Sequence, residues 1–154
     1  MASFSRTTDY GLAHSILTDA KAYRRMKNDA SPLREDFECG PMPGMVYVLA
    51  EEDGKPVALF LLSIEHQPPA SAEVHFCFTP DVWGRTRQIA EEFLEWVWRT
   101  SSLGRLVGPV PAYNGLALRL AKSVGFHGSG APRTTVRKHG REWGVIPLEI
   151  LRPC

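Results

Sequence analysis

Glu73 and His75 stand two residues apart in Ala72-Glu73-Val74-His75-Phe76-Cys77-Phe78-Thr79, a run whose alternation predicts a β-strand over 73–79. Strand periodicity puts both side chains on one face, together with Cys77 and Thr79, and turns Val74, Phe76 and Phe78 to the other. A carboxylate and an imidazole so placed are candidates for a base that takes a proton from a nucleophile. The plainer alternative is a surface glutamate at a strand end and a half-buried, hydrogen-bonded histidine. Cys77, inside the apolar run, reads as a small buried hydrophobe.

The strand leads into Pro80-Asp81-Val82-Trp83-Gly84-Arg85-Thr86, which opens onto an amphipathic helix predicted over 86–100. The start of a helix offers unpaired N–H groups and the positive end of its dipole. Arg85 and Arg87 beside that start complete a cradle for an anion. Gly84 lets the backbone approach a ligand closely, Thr86 can cap the helix, and Trp83 sits within the cradle. A simple strand–turn–helix connection with a solvated arginine pair is the alternative. A diphosphate-bearing cofactor is the expected anion in a small α/β protein. Downstream, Val110-Pro111-Ala112-Tyr113-Asn114 enters a helix over 112–124 that Gly125 stops. Asn114 can cap this helix with its amide turned outward, a cap alone being the alternative.

Taken together, the two segments resemble the GNAT superfamily of acyl-CoA-dependent N-acyltransferases. In that family a strand leads to a [Q/R]-x-x-G-x-[G/A] turn at a helix start, and a later helix carries N-x-x-A-x-x-x-Y-x-x-x-G-F. Asn114, Ala117, Gly125 and Phe126 match the second motif in spacing. The first is matched at Gly84 only: Asp81 stands where Gln or Arg is usual, and Thr86 where Gly or Ala is usual. Ala121 occupies the position of the family's tyrosine acid. In element order the resemblance covers roughly residues 8–150, and it extends to small GNAT-like proteins encoded by bacteriophages.

The resemblance implies an acyl-CoA N-acyltransferase, with acetyl-CoA or another acyl-CoA as cofactor. Gly84, Arg85, Thr86 and Arg87 would hold the pyrophosphate, with Trp83 alongside. Phe78 and Thr79 would bond the pantetheine through their backbones, and Asn114 would contact the cofactor arm. Glu73 would accept the amine's proton, with His75 and Tyr113 as further catalytic candidates. The amine acceptor is a small molecule, a protein or a nucleic acid, and a homodimer is left open. Two other readings stand beside this one. A nucleic-acid-modifying enzyme on the same scaffold is suggested by the basic run Arg133, Arg137, Lys138, His139 and Arg141, which is otherwise a solvated face. A binding module that has lost turnover is suggested by Asp81 and Ala121.

The elements that must position these residues follow from periodicity and punctuation. A helix is predicted over 8–28, capped by Thr7, Thr8 or Asp9, and a short one over 32–38. Strands are expected at 45–50 and 56–64, joined by an Asp53-Gly54 turn. The second is apolar on both faces and therefore central. His66–Ser71 is read as a loop, 105–110 as a short strand, and 133–138 and 143–150 as a closing hairpin. This order gives a mixed α/β sheet of six to seven strands with about four helices, splayed near Phe78–Thr79, in a single domain spanning 1–154. At 154 residues about two-thirds of the unfolded surface can be buried. A net charge of +1 gives no overall polyanion-binding field. The three cysteines, Cys39, Cys77 and Cys154, have no zinc spacing. Their odd count and the lack of a secretory leader favour a reducing, cytoplasmic setting. No metal site and no membrane span are expected.

Overall fold

A computed structural model describes residues 1–66 and 68–154. The expected loop at 66–71 therefore includes one residue, Gln67, that lies outside the described residues. The chain runs β1 (Ser3–Arg6), α1 (Tyr10–Leu17), α2 (Ala20–Met26), β2 (Met45–Glu52), β3 (Lys55–Glu65), β4 (Ser71–Phe78), α3 (Thr86–Thr100), β5 (Arg105–Pro111), α4 (Gly115–Ser123), β6 (His127–Gly128), β7 (Thr134–Lys138) and β8 (Arg141–Leu151). Short 3₁₀ helices occupy Arg34–Asp36, one turn, and Pro80–Arg85, about two turns.

One mixed sheet carries the order β1-β2-β3-β4-β5-β8-β6, with β7 pairing β8 as well. The central place expected for the doubly apolar strand at 56–64 is where β3 lies, and Leu59, Ala58 and Phe60 are fully buried there. Asp53 and Gly54 both take positive φ, 52° and 76°, which is the turn the β2–β3 hairpin requires. Two strands go beyond the expectation. Ser3–Arg6 has one large apolar residue, and it is Phe4 that packs on Phe60, Phe93 and Trp96 at 6.0–6.1 Å between ring centroids. The other is the two-residue β6.

The single helix expected over 8–28 is two. Thr18 donates its hydroxyl back to the His14 carbonyl at 2.6 Å. Asp19 then accepts from the N–H groups of Lys21 and Ala22, both at 3.1 Å, and restarts the chain as α2. An N-cap of this kind outcompetes continuation through the same residues. The expected 32–38 helix is reduced to one 3₁₀ turn.

The two sheet faces carry separate cores. α3 buries Ile89, Phe93, Leu94 and Val97 against Val48, Phe60, Val74, Phe78 and Leu106. Phe60 and Phe93 stack face to face at 3.9 Å. α1 and α2 cover the opposite face, where Ile16, Leu17 and Ala22 meet Leu49, Leu59 and Cys77. The alternation of β4 therefore runs as expected: its even residues face α3, while Cys77, and with it His75 and Glu73, faces the α1–α2 side.

Candidate functional site

β4 and β5 are parallel, and they pair only from Ser71↔Arg105 to Glu73↔Val107. Beyond that rung β4 stays with β3 and β5 stays with β8, so the two strands part and open a wedge. The wedge holds about 90 Å³ and is walled by Val74, His75, Phe76, Gly108, Val110 and Ala121, among others. Because Thr79 donates its N–H to Val57 on β3, the backbone groups of odd residues on β4 turn to β3 and those of even residues turn to β5. A methyl placed on Gly108 would stand 3.8 Å from the Val74 carbonyl oxygen, which agrees with that orientation. Past the last rung, the main-chain groups of Phe76 and the N–H of Phe78 point into the wedge.

At its mouth His75 Nε2 lies 2.9 Å from Glu73 Oε1. Both side chains are about half exposed, at 55% and 45%. With Nε2–H donating to the Glu73 carboxylate, Nδ1 is the nitrogen of the neutral ring that carries no hydrogen. Among the described residues lining the wedge, His75 is the one side chain able to carry a proton. Ala121 is there too and supplies no hydroxyl.

The wedge continues, past Ala117, into a larger cleft of about 470 Å³ between the starts of α3 and α4. Phe78, Trp83, Thr86 and Arg87 form one side and Leu116, Ala117, Arg119 and Leu120 the other, with Arg25 reaching in from α2. Trp83 is fixed twice: its indole N–H donates to the Phe78 carbonyl at 3.1 Å, and the Arg25 guanidinium lies 4.1 Å above its ring. Gly84 has no positive φ, and a methyl placed on it would meet nothing within 4 Å. Neither backbone conformation nor internal crowding demands glycine there.

Several expected residues have other partners. Arg85 grips Glu52 through two hydrogen bonds, 2.6 and 3.1 Å, and this contact holds the Glu52 carboxyl below the usual carboxylate range. Arg87 pairs with Glu91 one turn along at 2.8 Å, an exposed contact worth about 0.5 kcal/mol at most. Thr86 does not cap α3; it is the first helical residue, Arg85 takes the cap position, and no side chain bonds the helix start. That leaves the first N–H groups of α3 without a side-chain partner. Thr79 has its N–H on Val57 and its carbonyl on Val82. Asp81 accepts from Thr79 Oγ1 at 2.6 Å and pairs with Lys55 at 3.2 Å, and both partners lower its pKa.

Asn114 caps α4, its Oδ1 accepting from the Ala117 N–H at 3.2 Å, so its amide nitrogen faces outward. Tyr113 is not brought to Glu73 and His75. Its hydroxyl donates to the carbonyls of Met26 and Lys27 at the end of α2, and burial pushes its pKa up. In the basic run, Lys138 is used internally, donating to the Arg24 and Arg25 carbonyls. Sequence reasoning missed Arg25 and Arg119 as cleft residues. Neither belongs to the loop motif, and only tertiary packing carries them to it.

Burial pushes the Cys77 thiol up to about 12, which excludes it as a nucleophile near neutral pH. Among the described residues no group of three metal-ligating side chains exists, and no helix is long and apolar enough to cross a membrane.

No protein-family model matches the chain, and no curated protein matches it in sequence. Solved structures match along almost its whole length. Spermidine N-acetyltransferase from Vibrio cholerae, in complex with CoA and spermine, aligns with a TM-score of 0.76 at 17% identity over 98% of this chain and 95% of that one. Aminoglycoside acetyltransferase AAC(6')-Ib, in complex with coenzyme A and kanamycin, aligns at 0.71 and 13% over 99% and 95%. A GNAT-family acetyltransferase from Streptococcus pneumoniae aligns at 0.68 and 15% over 99% and 100%. The fold is that of the GNAT acetyltransferases.

Proposed function

We propose that this protein is an acyl-CoA-dependent N-acyltransferase, with an amine as acceptor. The observation that carries the reading is the parting of β4 from β5 after Glu73↔Val107, which turns unpaired backbone groups into a wedge leading to the open start of α3. An extended amide-bearing arm adds to such a strand edge as another strand would.

The residues fit the cofactor at three points. Gly84 leaves room for close approach beside helix N–H groups that no side chain caps. Arg25 and Arg119 line the cleft and enter no ion pair among the described residues, so they are the cations that would hold a pyrophosphate, with Arg87 released from its weak pair. The N–H of Phe78 and the outward amide of Asn114 would hold the arm, which leaves the Phe76 N–H for the acyl carbonyl. Thr79, Arg85 and Thr86 would then support the cradle and its backbone rather than donate side chains to it.

Bound acyl-CoA supplies an activated acyl thioester. The Phe76 N–H, fixed by the β3–β4 ladder, can stabilise charge on a carbonyl oxygen within the wedge. His75 Nδ1 takes the proton from the attacking amine, and Glu73 holds the ring and balances the imidazolium. The same imidazolium can return the proton to the departing sulfur, a role that Ala121 cannot fill. Tyr113 fastens α2 to the start of α4 and acts in positioning.

Calorimetric titration with CoA and acetyl-CoA tests the reading, followed by release of free thiol from acetyl-CoA against a panel of primary amines. Saturable binding and amine-dependent release are expected. Neither heat nor thermal shift at millimolar ligand rejects the proposal.

A further inference from the structure

Next to the cradle lies a second cleft of about 390 Å³, joined to it through Arg25 and Leu116. Arg24, Arg25, Lys138 and His139 line it, with Tyr113 and Trp143 as its aromatic walls. No acidic side chain lines it among the described residues.

The scaffold of this cleft is rigid although its charge is not neutralised. The tip of the β7–β8 hairpin is clipped to the α2 exit: Asp29 accepts from the backbone N–H groups of His139 and Gly140, both at 2.9 Å, and returns its own N–H to the Arg137 carbonyl at 2.8 Å. Lys138 Nζ donates to the Arg24 and Arg25 carbonyls and sits 4.4 Å over the Tyr113 ring, which fixes the ammonium in place with one N–H to spare. Tyr113 is in turn tied to the Met26 and Lys27 carbonyls. Arg24 is exposed and enters no ion pair among the described residues. Asp29, at the hairpin tip, is engaged by backbone N–H groups. Burial first, and then the neighbouring Lys27, lower the proton affinity of Lys138, against an opposing pull from Asp29. Clustered cations held by directed contacts repel one another unless an anion joins them. Guanidinium and ammonium groups lining one cleft can match the oxygens of a phosphate.

We propose that this cleft binds a phosphate monoester dianion. Two sources have that chemistry: the 3′-phosphate of a CoA bound in the adjoining cradle, in which case the inference rests on the acyl-CoA reading, and a phosphate carried by a separate molecule.

The test is a nuclear magnetic resonance titration with inorganic phosphate, following the Trp143 indole and His139 amide signals, with chloride at matched ionic strength as control. It is run on the unliganded protein, on protein saturated with 3′-dephospho-CoA, and on protein saturated with CoA. Phosphate-specific shifts are expected in the unliganded protein, and Arg24→Ala weakens them by about tenfold. Shifts that survive dephospho-CoA and vanish with CoA assign the cleft to the cofactor's 3′-phosphate. Shifts that survive both assign it to a separate phosphorylated molecule. Absence of a phosphate-specific shift in the unliganded protein, or an Arg24→Ala protein that responds like the parent, overturns the inference. Failure of both CoA forms to bind removes the acyl-CoA reading alone, because the unliganded arm stands without it.

Discussion

Gly84→Ala separates what the protein needs from what a ligand needs. The position lies in the 3₁₀ turn before α3, lacks a positive φ, and has open space where a methyl would go. Replacing glycine by alanine at a backbone geometry alanine accepts stabilises by about 0.4–1 kcal/mol, because the unfolded chain loses freedom. In a domain of this size each kcal/mol moves Tm by about 2–4 °C, so Tm should rise by about 1–4 °C. The same methyl would stand where an anion approaches the backbone. A charge-assisted hydrogen bond is worth about 1.5–3 kcal/mol, which converts to about 10- to 150-fold in Kd for CoA. Differential scanning fluorimetry reads the first quantity and calorimetry the second. A fall in Tm would show that the turn itself requires glycine. An unchanged Kd with raised Tm would refute the claim that a ligand passes over Gly84.

His75→Ala lowers kcat by about 10²- to 10⁴-fold with KM for acyl-CoA unchanged, and Glu73→Gln acts in the same direction; a kcat within twofold of the parent in steady-state thiol-release assays would remove the pair from the chemistry. Asp29→Ala loosens the hairpin tip in a pH-dependent way. The N–H groups of Gly140, then His139, hold the Asp29 carboxyl below its ordinary value near 3.8, so the stabilisation is fully present above that value and is lost as pH falls through the lower folded value. Thermal melts should therefore show a Tm gap between parent and variant at pH 7 that narrows below about pH 3.8; a gap that widens on acidification contradicts the assignment. Among the cysteines, Cys154 is exposed and Cys77 buried. Mass-detected alkylation at pH 8 should label Cys154 first and Cys77 only in denaturant, and native labelling of Cys77 would be inconsistent with its packing under Ile16.

Where local pattern decides structure, the sequence was readable. The helix expected at 86–100 is α3 residue for residue, because its apolar stripe and the Pro- and Gly-bearing turn before it agree. The doubly apolar run at 56–64 could only be an interior strand. Asn114 caps α4 and Gly125, at φ 111°, ends it, both from spacing alone. Three of the misses share one cause, contacts distant in sequence. Nothing around Phe4 predicts a strand until β2 offers it an edge. Arg85 looks like a free phosphate ligand until the β2–β3 hairpin brings Glu52 to it, 33 residues away. Arg25 reads as a C-terminal helix charge until α2 folds over Trp83. Asp19 did carry its own signal, an N-cap residue inside an apolar period, and the longer periodicity overrode it. At the site, the Glu73–His75 pair was visible as a strand alternation. The presence of Arg25 and Arg119 in the cleft beside Arg87 was not, because no local motif encodes it.

The central claim is that acyl-CoA lies along the parted edge of β4 and across the start of α3. Amide chemical-shift mapping with CoA addresses it directly. The account predicts that the amides of Phe76, Phe78, Gly84 and the first turn of α3 shift together and saturably, while those of β1 and β2 stay in place. Saturable shifts confined to another surface, or no shift at Phe76 and Gly84 under saturating ligand, would contradict it.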